Sequence, residues 1–140
     1  MAKIILKLDA EDQYDFMLIG IVCQHKDYRL CHELNSLLGI KLIRENDFEL
    51  FNGKRMEKIT FPFYGYKTAE EDQFFLFGNK GKQGFLVPEQ KQIDFFLMIR
   101  ENVKRIDEAD FVNRLKEMKV ILGVYKMDPL KLKSRENLLF

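Results

Sequence analysis

Two carboxylates and a guanidinium set into one apolar stretch are the residues of this chain best placed to do chemistry. Gly84 to Arg100 reads Gly-Phe-Leu-Val-Pro-Glu-Gln-Lys-Gln-Ile-Asp-Phe-Phe-Leu-Met-Ile-Arg. An ionised group taken from water without partners costs several kcal/mol, so Glu89 and Asp94 require partners or a function. As an acid and base pair they would need a cleft between them, with Arg100 to hold an anion and Tyr28 and Arg29 as further anion-facing candidates. The structural alternative is simpler. Pro88 followed by Glu89 suits the first positions of a helical turn, where a carboxylate favours the positive end. Asp94, at the entrance to a buried strand, can meet a lysine or a backbone amide of a neighbouring element. Ion pairs and turns perturb carboxylates as readily as catalysis does, which favours the structural reading.

Cys23, His25, Cys31 and His32 raise metal binding, but on a helix Cys31 and His32 stand about 100° apart and meet one tetrahedral ion only with strain. The paired two-cysteine knuckles of a zinc ribbon are missing from the spacing, so no metal and no cofactor is expected. A Cys31 nucleophile fares no better, since His32 is its neighbour in sequence and faces elsewhere. Lys82 to Val87, beside Tyr64, Tyr66, Phe75 and Phe77, faintly resembles the RNA-stacking strand of an RRM domain. Gln83 and Pro88 stand where aromatics belong, so an aromatic core is the better reading of these rings. Gly78, Gly81 and Gly84 lack the context of a phosphate-binding loop.

The elements that must position these residues follow from hydropathy patterning. Ile4, Leu6 and Leu8 alternate with Lys3 and Lys7, a strand pattern. Phe16 to Cys23 is apolar on both faces, which predicts a central strand covered on both sides. Asp27 is expected to cap a helix carrying Leu30, Cys31, Leu34, Leu37 and Leu38 inward, with Gly39 ending it. Short extended segments are expected at Leu42 to Arg44 and Phe48 to Phe51, then an Asn52-Gly53 turn. Ile59, Phe61 and Phe63 alternate with Thr60, Pro62 and Tyr64, and Pro62 predicts an edge or bulged strand. A strand over Phe74 to Phe77 is expected to pass through a Gly78-Asn79-Lys80-Gly81 hairpin connection into Phe85 to Val87. Beyond Pro88, a strand is preferred to a helix, with Ile93, Phe95, Leu97 and Ile99 on one face and Asp94, Phe96, Met98 and Arg100 on the other. Asp107 then caps a helix with Phe111, Val112, Leu115 and Met118 inward, and Val120 to Met127 returns as a strand. Strands joined by hairpins and two separated helices give an α+β fold: a mostly antiparallel sheet with two main helices packed on it.

With 140 residues, one domain (1–140) ending in a short docked tail (about 129–140) is expected. A hydrophobic fraction of 46% with 13 Phe supplies the core, and 32% charged residues argue against disorder. Twenty-three basic against 22 acidic residues leave +1, so no global field draws nucleic acid or anionic lipid. Asp9, Glu11, Asp12 and Asp15 form an acidic patch, and basic residues outnumber acidic ones from Val112 onward, a solvated face on the plain reading. The opening residues carry no secretory pattern, and the apolar runs are too short to span a bilayer, so a cytoplasmic protein with reduced thiols at Cys23 and Cys31 is expected.

The run Val87-Pro88-Glu89-Gln90-Lys91-Gln92-Ile93-Asp94-Phe95 resembles the signature of the bacterial IPExxxVDY family, named for its Ile-Pro-Glu-x-x-x-Val-Asp-Tyr motif. Lys26-Asp27-Tyr28-Arg29-Leu30 and Leu132 to Phe140 match it further, so that the resemblance covers nearly the whole chain. Val87, Ile93 and Phe95 depart from the motif, and Phe95 lacks the tyrosine hydroxyl. That family has no established activity; the resemblance implies a bacterial, cytoplasmic, housekeeping setting and no chemistry. The function expected is a non-enzymatic protein-interaction or structural module. Its binding surface would be an apolar edge around Phe61 to Tyr66 or the tail Leu138-Leu139-Phe140, meeting a protein partner or a second copy. The alternatives are a small-ligand binder or enzyme using Glu89, Asp94 and Arg100, and weak RNA binding.

Overall fold

A computed structural model describes residues 13–52 and 56–140. The expected strand at Ile4 to Leu8, the acidic residues Asp9, Glu11 and Asp12, and the turn at Gly53 lie outside them. In chain order the elements are β1 (Met17–Val22), α1 (Asp27–Leu38), β2 (Ile43–Arg44), β3 (Phe48–Asn52), β4 (Glu57–Phe61) and β5 (Phe63–Lys67). Then come β6 (Gln73–Gly78), β7 (Lys80–Gly81), β8 (Gly84–Phe85), β9 (Phe95–Arg100), α2 (Glu108–Lys116) and β10 (Gly123–Met127). Single 3-10 turns cover Pro88–Gln90, Pro129–Lys131 and Arg135–Leu138.

Six strands form the main sheet in the order β10-β1-β9-β6-β5-β2, and β3-β4 and β7-β8 are separate hairpins. Every pairing among the described residues is antiparallel, which makes the fold α+β as expected. β1 and β9 are apolar on both faces because both faces are covered. On one side Leu30, Cys31 and Leu34 of α1 and Phe111 and Leu115 of α2 pack against Ile19, Ile21, Leu76, Leu97 and Ile99. On the other, Ile59 and Phe61 of the β3-β4 hairpin, the segment Leu86 to Ile93 and Leu138 of the tail cover Leu18, Phe77, Phe96 and Met98. Full burial of such side chains contributes roughly 1.5–3 kcal/mol each, so both layers matter to folding.

Local chemistry sets the boundaries. Gly39 ends α1 in the left-handed region at φ 64°, where a side chain would be strained. Asp107 caps α2, accepting from the amides of Ala109 and Asp110. Asp27 does not cap α1: Lys26 is the extended residue before the helix, with no side-chain cap, and the Asp27 carboxylate instead accepts the Tyr64 hydroxyl at 2.7 Å. Pro62 does not sit within one edge strand. It divides the run into β4 and β5, which belong to different sheets, and its carbonyl accepts from Gly78 at 3.0 Å. The last strand starts at Gly123 and not at Val120, because a turn intervenes, the Ile121 amide donating to the Met118 carbonyl at 3.2 Å, while Val120 and Ile121 are buried in the helix-side core.

The face assignment around β9 also changes. Phe95, Leu97 and Ile99 face the helices, but Ile93 lies with Phe96 and Met98 on the opposite side. A turn at Gln90 to Ile93 breaks the alternation before the strand begins. Gly20 leaves the space Ile93 fills: a Cβ there would stand 2.8 Å from the Ile93 Cδ1 and 2.8 Å from the Met127 Cε.

Candidate functional site

The acidic stretch is organised by a residue that the sequence presents as a turn. Asn79 is 0% exposed. Its Nδ2 donates to the carbonyls of Gln90 at 2.8 Å and Ile93 at 2.9 Å, and its Oδ1 accepts from the Val87 amide at 2.8 Å. Its backbone bonds the segment at both ends, donating to Asp94 and accepting from Leu86, each at 2.9 Å. One buried amide thus satisfies the Val87 amide and the Ile93 carbonyl, which the irregular stretch from Leu86 to Asp94 does not pair within itself, and gives the Gln90 carbonyl a second donor beside the Ile93 amide. The hairpin turn falls instead at Lys82-Gln83, between β7 and β8.

Within this frame Pro88 occupies the first position of a 3-10 turn, and Glu89 beside it is turned toward the tail. The Glu89 carboxylate accepts from the Ser134 amide at 2.8 Å and from the Ser134 hydroxyl at 2.7 Å. Partial burial pushes the Glu89 carboxyl up, but hydrogen bonds from the Ser134 hydroxyl and from the amides of Glu89, Ser134 and Lys133 outweigh it and hold it below the usual range. Asn137 adds a second tie, donating to the Leu86 carbonyl at 2.8 Å. Asp94 is likewise engaged on both oxygens: Oδ2 accepts from the Cys23 amide at 2.9 Å and Oδ1 meets the Lys80 ammonium at 2.7 Å.

The remaining candidates do not converge on these two. Arg100 lies at the far end of β9, six residues and so roughly 20 Å from Asp94. Burial lowers its pKa, and its guanidinium stands 5.0 Å from the Phe16 ring centroid. Arg29 pairs with Glu33 at 3.3 Å, one turn along α1, and Tyr28 points outward at 67% exposure. Asp27 and Asp94 do line one small depression of about 240 Å³, with Cys23, His25, Lys26 and Lys80. The acceptors there are already in use. Burial pushes the Cys23 thiol up, ahead of a lowering backbone hydrogen bond from His25 and a raising effect of Asp94, so a reactive thiolate is disfavoured. Cys31 is turned into the core and donates to the Leu42 carbonyl at 3.5 Å.

A larger opening lies at the other end of the sheet. A groove of about 1010 Å³ runs between β2, the start of β3 and the face of β5 and β6. Phe48, Phe63, Phe75 and Phe140 line it, with Ile43 at one side and Glu45, Asp47, Glu49 and Lys67 around the rim. The Phe140 ring stands 5.3 Å from Phe48, 5.1 Å from Phe63, 5.3 Å from Phe75 and 5.6 Å from Phe77, three of these contacts edge to face. The segment around Phe61 to Tyr66 and the tail, separate candidates by sequence, therefore meet in one surface through Phe63 and Phe140. Phe48, Phe75 and Glu45 were not legible as part of it. The residues so gathered run from 45 to 140, and only the clustering of phenylalanines hints at them.

No family model, curated protein or solved structure matches the chain. Among the described residues, no helix is long and apolar enough to cross a membrane.

Proposed function

We propose that this chain is a non-enzymatic protein-interaction module that binds a segment of another protein in the phenylalanine-lined groove. The observation that carries this reading is the division of labour between the two regions. The motif carboxylates are spent on backbone amides, a hydroxyl and Lys80, whereas Phe48, Phe63, Phe75 and the tail's own Phe140 gather as the apolar lining of one open groove. Exposed apolar surface gathered in one concave place marks an interaction site more often than scattered apolar residues do. The acidic rim would repel phosphates, which weighs against RNA as the occupant. A cytoplasmic setting and membership of the IPExxxVDY family, both expected from the sequence, are parts of the same proposal.

The test is selection of random peptides displayed on phage against the immobilised chain, followed by binding to an Ile43→Asp variant. Ile43 lines the groove at 62% exposure, so this change leaves the core alone. Recovered peptides are expected to be rich in apolar side chains and to lose about tenfold or more in affinity for the variant, while its unfolding midpoint stays that of the parent chain. Recovery of no peptide, or of peptides that bind both forms equally, overturns the proposal.

A further inference from the structure

Glu45 gives the groove a chemical preference. Its amide donates to the Phe63 carbonyl at 2.9 Å, which fixes its position beside β5. Its side chain folds over Gly65: a Cβ at that glycine would stand 3.7 Å from the Glu45 Cγ, 3.7 Å from its Oε1 and 3.6 Å from the Phe75 ring. Those are ordinary contact distances, and they place the carboxylate and the Phe75 ring on the same side of β5. The other charges around the rim are matched. Asp47 pairs with Arg44, Glu49 with Lys58 at 3.3 Å and Lys67 with Glu71 at 2.6 Å. Arg44 also approaches the Glu45 carbonyl, but its charge is directed to Asp47. Glu45 is the one charged side chain lining the groove that has no ionic partner among the described residues.

A carboxylate beside the rings of Phe63, Phe75 and Phe140 is complementary to a cation on an apolar stem. Aromatic faces attract ammonium and guanidinium groups, the long methylene chains of Lys and Arg cover apolar surface, and a carboxylate completes the pairing. We propose, resting on the reading of the groove as a protein-binding site, that it selects a partner segment bearing an arginine or lysine, whose cation meets Glu45 while its stem lies on the phenylalanine rings. Glu45 is then the specificity-determining residue: the apolar wall supplies contact area, and the carboxylate rejects segments that bring an acidic side chain to the same place.

The experiment uses the full chain and two random peptide libraries, one built from all twenty residue types and one lacking Lys and Arg, with binders measured against the parent chain, Glu45→Gln, Glu45→Lys and Ile43→Asp. The expected result is that strong binders come from the first library alone and share a basic residue beside apolar ones. Their affinity should fall about threefold on Glu45→Gln and about tenfold on Glu45→Lys, and should weaken as salt rises. Equally strong binders from the library without Lys and Arg, indifferent to Glu45→Lys yet lost on Ile43→Asp, overturn the preference and leave the groove as a binding site. Binders indifferent to Ile43→Asp, or none from either library, overturn both. Sedimentation showing a dimer that Ile43→Asp dissociates would make the occupant a second copy of the chain and overturn the choice of partner.

Discussion

Asn79→Ala is expected to destabilise the protein by about 3–6 kcal/mol, because it leaves the Val87 amide and the Ile93 carbonyl without partners in the interior and takes from the Gln90 carbonyl one of its two donors. A penalty of that size lowers the unfolding midpoint by about 10 °C or more in a domain of this length. Asn79→Asp is the informative companion. It keeps an acceptor for Val87 but sets an anion against two carbonyls, so it should be no milder than alanine although its shape is nearly unchanged. Heat or urea unfolding followed by circular dichroism measures both. A loss below about 1 kcal/mol for either variant would mean that the stretch from Leu86 to Asp94 is held by something other than this amide.

Leu138→Ala is expected to cost about 2–5 kcal/mol, the range for removing a leucine side chain from a packed site. Leu138 is fully buried against the second face of the sheet, and the tail around it is tied by Glu89 to Ser134 and by Asn137 to Leu86. Loosening the tail also moves Phe140 away from Phe63 and Phe75, so peptide binding to the groove should weaken together with stability. Leu139→Ala, two residues beyond the Asn137 tie and outside both buried clusters, should change stability by less than about 1 kcal/mol. Urea midpoints with unchanged slope report the difference. Equal effects of the two changes would contradict a tail anchored through Leu138.

Much of the architecture was readable from patterning because the signals are local. The apolar run of β1 announces coverage on both faces, the spacing of Leu30, Cys31 and Leu34 announces one helix face, and Asp107 and Gly39 are in the positions that cap and end helices. What failed was long-range. Asn79 sits in a Gly78-Asn79-Lys80-Gly81 run that reads as a turn, and nothing nearby distinguishes an asparagine facing solvent from one bonded to residues eight to fourteen positions away. Asp27 has the right type and place for a cap, but Tyr64 competes for its carboxylate from across the fold. Ile93 falls on the wrong face by alternation because a turn resets the phase just before β9. The division of Glu89 and Asp94 between tail and β1 obeys the same logic: the sequence shows that each needs a partner, and only the fold says which.

The groove is the least legible feature and the one on which function rests. Its walls come from β2, β3, β5, β6 and the tail, and each phenylalanine taken singly is an ordinary core residue. The division of labour between this groove and the motif requires that the polar residues of the Val87 to Phe95 stretch serve the fold. Amide hydrogen exchange at Cys23, Val87 and Ser134, the three amides that donate to Asp94, Asn79 and Glu89, tests this directly. Protection is the expected result at all three, approaching that of global unfolding at Val87 and smaller at Ser134, where release of the tail suffices for exchange. Exchange of Cys23 and Val87 at the rate of an open loop would contradict it, since both carboxylate and amide would then be free for other work.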